Sequence, residues 1–224
     1  MAKPATSKRR APGRPAKVRG DQRKRLLDVA LTLFAKQGIA GTPLSAIARR
    51  ARVTPAMLHY YFGSRDQLLD ALMDECIAPL IARVGAQLGA SESDPRGLAR
   101  AFAATIIGVL AENPWLPPLW MREVLSEGGV LRERLLQGGA ARLAPGLASR
   151  FADAQRRGAL NPGLDPRLTV VSLIGLTIFP LAAQPIWRRL LDADDIGIAT
   201  LISHTEALIE AGFGVPAASH RKAP

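Results

Sequence analysis

Few side chains in this 224-residue chain could carry covalent chemistry. Its three histidines, His59, His204 and His220, are far apart, and its one cysteine, Cys76, has no partner motif. There is no His-x-x-x-His spacing and no glycine-rich phosphate loop, and pairs such as Asp74-Glu75 and Asp194-Asp195 read as solvated helix ends. A nucleophile beside a base, a metal-ligand set and a bound cofactor are therefore not expected, and neither is catalysis. One cysteine allows no intrachain disulfide, which suits a reducing cytoplasm, and its expected state is a buried, inert thiol. The chemistry these residue types do support is non-covalent recognition. It concentrates in Thr42 to Phe62, TPLSAIARRARVTPAMLHYYF, where Ala56, Met57, His59 and Tyr60 share the outward face of a short helix. Small, polar and aromatic groups on such a helix suit the major groove of DNA.

Two elements must hold that face. Thr42 and Thr54 stand where N-caps belong, and each is followed by proline, Pro43 and Pro55, at the expected first helical position. Proline is tolerated there because that N–H has no intrahelical partner. Leu44, Ile47, Ala48 and Ala51 form the inner face of the first helix, and Leu58, Tyr61 and Phe62 that of the second. The connection Ala51-Arg52-Val53 is short enough for a helix-turn-helix. An earlier helix from about Gln22 to Gln37 repeats Leu26, Leu27, Ala30, Leu31 and Phe34 at helical spacing, and Gly38 closes it.

Charge agrees with this placement. Residues 1–65 hold 15 Lys or Arg and 2 acids, whereas residues 66–224 hold 15 and 17, so the whole basic excess lies in the first third. That end is the expected polyanion-binding end. Residues 1–20 lack a helical period and read as a disordered basic arm. Within it Gly13-Arg14-Pro15 resembles an AT-hook core, which would lay Arg14 in a narrow A·T minor groove; attraction to phosphate without sequence preference is the equal alternative.

The stretch Arg23 to Leu69 resembles the DNA-binding domain of the TetR family of bacterial transcriptional regulators. The resemblance rests on RLLDVALTLFAKQGIAGT with its closing glycine, on Ile47-Ala48, on His59-Tyr60-Tyr61-Phe62, and on Ser64-Arg65 followed by Leu68-Leu69. Arg52 replaces a usual turn glycine, so a left-handed backbone is expected at a non-glycine residue, costing about 1 kcal/mol. Ala56 replaces a frequent glycine and His59 a frequent tyrosine. The resemblance implies that Thr54–Tyr61, including Pro55, Ala56 and Met57, enters a major groove, and that Thr42, His59, Tyr60 and Arg65 hold phosphates. The double-stranded operator would be palindromic.

Beyond Ser64 the pattern stays helical, and no alternating strand stands out. A long helix is expected from Ser64 toward Gly85 or Gly89, then one opening at Asp94-Pro95 through Leu98, Phe102, Ile106 and Leu110. A Trp-bearing segment around Trp115–Met121 follows, and a further helix is expected to break near Gly138-Gly139 and at Pro145. The uncharged segment Leu168 to Trp187 has the length of a membrane span, but its Thr, Ser, Gln and Pro residues favour a buried core helix over membrane insertion. A last helix is expected over about Asp195 to Ala211.

The expected fold is thus all-α: a three-helix DNA-binding domain over 21–66, a larger helical domain over 67–213 and a flexible tail over 214–224. The resemblance implies that the larger domain binds an effector and dimerises through its last two helices, about Pro166–Leu191 and Asp195–Ala211. Phe102, Trp115, Trp120, Met121, Phe151, Phe179 and Trp187 are the aromatic and sulfur side chains that could line an apolar cavity there. The expected protein is a cytoplasmic homodimer, a repressor released by an apolar or amphipathic small molecule. A ligand-independent architectural DNA-binding protein, or an activator, is the alternative.

Overall fold

The computed structural model describes residues 16–90 and 94–214, so Arg14 and the arm before residue 16 lie outside the described residues, as does the tail from 215. Every regular element among the described residues is helical. Helix α1 spans Ala16–Gln37 and so begins six residues before the start expected at Gln22, which makes the expected arm helical from Ala16. Helices α2 (Leu44–Ala51), α3 (Pro55–Phe62) and α4 (Arg65–Leu72) follow. A five-residue π-helical turn, Met73–Ile77, joins α4 to α5 (Ala78–Ala90), giving the long rod expected from Ser64. Ser64 and Gln67 form a reciprocal capping box at its start.

Helix α6 (Pro95–Glu112) is capped by Asp94, whose carboxylate accepts the N–H groups of Arg96 and Gly97. Short α7 (Leu116–Trp120) runs into a second π turn, Met121–Leu125. Helices α8 (Arg132–Gln137) and α9 (Ala140–Arg156) come next. The expected break at Gly138-Gly139 is present, but α9 passes through Pro145 without stopping. Proline removes one N–H and crowds the preceding carbonyl; at Pro145, close to the N-terminus of α9, the helix absorbs both.

The uncharged segment is two helices rather than one. Helix α10 (Pro166–Ala182) ends at Ala183, and α11 (Gln184–Leu191) leaves it at 74°. The bend is held by Trp187, whose indole N–H donates to the Pro180 carbonyl at 2.7 Å. No single helix among the described residues is long and apolar enough to cross a membrane. Val170, Leu173, Thr177 and Ile178 of α10 are buried inside the fold. Helix α12 (Ile198–Phe213) closes the fold.

Two apolar cores form. One holds Leu26, Leu31 and Phe34 of α1, Ile47 of α2, Leu58 and Phe62 of α3, and Leu68 and Leu72 of α4. It continues into Ile77, Leu119 and Leu131, so packing runs across the boundary expected at residue 66. The other unites α5, α6, α9, α10 and α12 around Phe102, Phe151, Leu173 and Ile209.

Candidate nucleic-acid interface and effector cavity

The reading head is built from local signals. Thr54 caps α3, its hydroxyl accepting the Met57 N–H at 3.3 Å, and Pro55 occupies the first helical position. Arg52 carries the left-handed turn (φ 56°, ψ 45°) that the missing glycine implied. Its N–H and that of Val53 close the end of α2 on the Arg49 and Ala48 carbonyls. Leu58 and Phe62 are buried, whereas Thr54, Pro55, Ala56, Met57, His59 and Tyr60 are exposed. Tyr61 is half-buried, its ring against Tyr60 and Phe62, and stands at the margin of this face. Arg23 fastens the head to the rod: it covers the Phe62 ring at 4.5 Å, donates to the Tyr61 carbonyl, and pairs with Glu75. Glu75 is therefore an ion-pair partner and not the free helix end expected.

Two expected phosphate ligands face elsewhere. Thr42 is fully buried, and its hydroxyl donates to the Gly38 carbonyl at 2.7 Å. Helix α2 begins at Leu44 with Pro43 at the cap position, so Thr42 is neither an N-cap nor open to DNA. The Arg65 guanidinium donates to the Thr42 carbonyl at 2.8 Å and to the Ile39 carbonyl, so both terminal nitrogens brace the α1–α2 turn. Arg49 and Arg50, which entered the sequence analysis only as charge, and the turn residue Arg52 are all exposed at the end of α2, where they add positive potential beside α3. His59 is oriented by its neighbour: Nδ1 lies 2.6 Å from the Gly63 carbonyl, while the Gly63 N–H donates to the His59 carbonyl at 2.8 Å.

Farther along the rod lies a cavity of about 150 Å³, walled by apolar side chains alone. Met73, Ile77 and Ile81 come from the rod, Phe102 and Ile106 from α6, Trp120 and Val124 from α7 and its π turn, and Ile174 and Ile178 from α10. Of the expected lining residues only Phe102 and Trp120 reach it. Phe151 is fully buried against Phe213, with ring centroids 6.0 Å apart, and so is a core residue. Phe179 is 60% exposed on the outer surface of α10, and Met121 lies half-buried in the π turn, outside the cavity wall. Trp115 lines a separate, half-polar cleft with Lys24, Asp28, Glu75 and Cys76. Burial, then the Asp28 and Glu75 charges, push the Cys76 thiol up to about 11, which keeps it protonated and unreactive near neutrality.

One buried polar side chain gave no signal in the sequence. Glu123, in the second π turn, is 5% exposed, and its carboxylate accepts the Ile39 N–H at 2.8 Å across 84 residues of chain.

A capped helix-turn-helix with a basic surround, mounted on a helical domain that carries an apolar pocket, defines a DNA-binding regulator. Residues 26–72 match the family model of bacterial regulatory proteins of the tetR family. The HTH-type transcriptional regulator BetI of Burkholderia ambifaria (strain MC40-6) is 30% identical over 145 residues, covering 62% of this chain and 73% of that protein. BetI of Paraburkholderia xenovorans (strain LB400) is 33% identical over 87 residues, 39% of this chain and 45% of that one. Among solved structures, the ketosteroid transcriptional regulator KstR2 of Mycobacterium tuberculosis superposes with a TM-score of 0.71 at 16% identity, covering 92% of this chain and all of that one. FadR from Bacillus subtilis in complex with stearoyl-CoA gives 0.65 at 18%, covering 84% and 98%. The chain belongs to the TetR family of transcriptional regulators.

Proposed function

We propose that the protein is a repressor that binds a palindromic operator as a homodimer and releases it when an apolar or amphipathic small molecule occupies the cavity. The observation that carries this reading is a wholly apolar pocket, partly open to the surface, whose wall includes the same rod that begins at the reading head. Such a wall gains by covering a hydrocarbon group, which needs no polar partner. At about 150 Å³ the void is smaller than the ~300–1,000 Å³ of drug-sized sites, so it fits a short hydrocarbon group or opens as a longer one enters. The stearoyl-CoA named with FadR is one molecule bearing such a group.

Each head would place Thr54–Tyr60 in a major groove. Ala56 and Met57 offer methyl and van der Waals contact, so His59 and Tyr60 supply the polar part, and groove shape contributes correspondingly more. Dimerisation is supported by an apolar outer surface: Leu168, Val171 and Phe179 on α10, Ile186, Leu190 and Leu191 on α11, and Leu208 on α12 are all exposed. Large apolar side chains left open to solvent in this number suit a protein contact. It draws on three helices where the sequence reading expected two, because α11 is a separate helix.

The test is selection of the operator from random DNA, followed by footprinting with and without straight-chain alkanols and fatty acids. Protection of two symmetric half-sites, relieved by one of these compounds, is the expected result. A single asymmetric half-site at saturating protein, or protection that none of these compounds relieves, overturns the reading.

A further inference from the structure

The α1–α2 turn is held from two sides, and both sides lead to the cavity. Within the turn, Gly38 adopts a positive φ of 78°, its N–H bonding back to Phe34, and Ile39 is buried. Arg65 of α4 takes the Ile39 and Thr42 carbonyls. The Ile39 N–H, however, has no partner in its own domain and is satisfied by the Glu123 carboxylate. The other carboxylate oxygen accepts the Val130 N–H at 3.4 Å, and the Glu123 carbonyl accepts the Leu131 N–H at 3.0 Å. Among the described residues no cation pairs with Glu123, so the backbone amides are what hold it. The approach is close: a Cβ on Gly38 would meet the Arg122 Cδ at 3.0 Å and Glu123 Oε1 at 3.2 Å.

The residues around Glu123 form the cavity wall. Trp120, Val124 and Leu131 all line the void, so Glu123 is one residue from one lining side chain and is hydrogen-bonded to the backbone of another. Its segment is a π turn, in which the hydrogen-bond ladder is already displaced by a residue. Arg132 secures the far end of that turn through the Val124, Leu125 and Ser126 carbonyls. A molecule that presses on Trp120 or Val124 as it fills the pocket would shift the turn about its Arg132 end. Glu123 cannot shift alone, because a buried N–H left without an acceptor is strongly disfavoured. The α1–α2 turn must follow it or lose its bond.

We infer that Glu123 is a positioning residue for DNA binding, and that its bond to the Ile39 N–H carries the state of the cavity to the reading head. The inference rests on the effector reading above. In coupled systems of this kind, the second site's affinity commonly changes by about 5- to 150-fold.

The experiment needs no identified effector. Ala144 lines the cavity, and Ala144→Leu fills part of it from within. Operator affinity is measured in the full chain for the parent, Ala144→Leu, Glu123→Met and the double variant, with folding checked by circular dichroism. Methionine keeps the length of Glu123 and removes the acceptor. The expected result is a loss of operator affinity of at least about fivefold from Ala144→Leu in the parent, shrinking to under about twofold in the Glu123→Met background. Hydrogen exchange of the Ile39 amide should accelerate in Ala144→Leu. An undiminished effect of Ala144→Leu in the Glu123→Met background overturns the link and leaves the effector reading standing. If Ala144→Leu and a series of n-alkanols all leave the parent's operator affinity unchanged, the effector reading fails, and the link with it. Should Glu123→Met fail to fold, the Ile39 amide decides: unchanged protection in Ala144→Leu overturns the link, and lost protection supports it.

Discussion

Phe62 and Tyr60 lie two residues apart on the same short helix, and replacing each with alanine should give opposite phenotypes. Phe62 is 5% exposed, packed in the head core and covered by the Arg23 guanidinium at 4.5 Å. Truncating a buried Phe costs about 3–5 kcal/mol, from lost transfer energy and from the cavity left behind. Loss of the cation–π contact belongs at the upper end of that range, although Arg23 keeps Glu75 and the Tyr61 carbonyl as partners. For a chain of this length each kcal/mol lowers the melting temperature by about 2–4 °C, so Phe62→Ala should melt roughly 6–20 °C below the parent. Tyr60 is 64% exposed and makes only an edge contact with Tyr61, at 5.3 Å. Tyr60→Ala should change stability by no more than about 0.5 kcal/mol, as exposed substitutions do. If Tyr60 reaches the operator, the same substitution should weaken binding by roughly tenfold, or ~1.4 kcal/mol. Thermal melts by circular dichroism give the first quantity, and fluorescence anisotropy with labelled operator gives the second. A Phe62→Ala protein that melts with the parent, or a Tyr60→Ala protein that melts early yet binds DNA normally, would show that α3 is rotated from the orientation described.

Other expectations follow from single features. Deleting residues 1–15 removes Lys3, Lys8, Arg9, Arg10 and Arg14, so the slope of log affinity against log salt should become shallower by up to about four; an unchanged slope would show that the arm makes no phosphate contact. A carbonyl only accepts, so His59 Nδ1 carries the proton that faces Gly63. If the other edge of the ring touches DNA, His59→Asn should weaken operator binding while leaving the melting temperature near the parent's; unchanged affinity would place His59 off the DNA. Cys76 should resist iodoacetamide in the native protein at neutral pH and react faster as pH climbs toward 11, since the raised pKa keeps it a thiol below that point. Rapid native labelling near neutral pH would contradict the burial described. Trp120 fluorescence should shift when an apolar compound fills the cavity, whereas a Trp120→Phe protein should lose most of that signal; a signal kept in full would place the site elsewhere.

The sequence alone determined what depends on neighbours along the chain. The Thr54-Pro55 cap, the inner face of Leu58 and Phe62 and the helix start after Ser64 each follow from residues within a few positions, because capping and helical period are local interactions; the left-handed Arg52 was implied by the family resemblance instead. The same local logic misled at Thr42. Its Thr-Pro pattern matches that of Thr54, but the turn after Gly38 folds the hydroxyl back onto a carbonyl and buries it. The aromatic residues of the larger domain were recognisable as apolar surface, yet residue type does not say which side of a helix faces a void. Phe102 and Trp120 therefore line the cavity, while Phe151 fills the core and Phe179 faces outward. The split of the uncharged segment into α10 and α11 was hidden because Pro180, two residues before the end of α10, gives no measure of a 74° bend. Only the tertiary structure could single out Glu123. Its proposed role rests on one buried backbone N–H, 84 residues away, that has no other acceptor among the described residues.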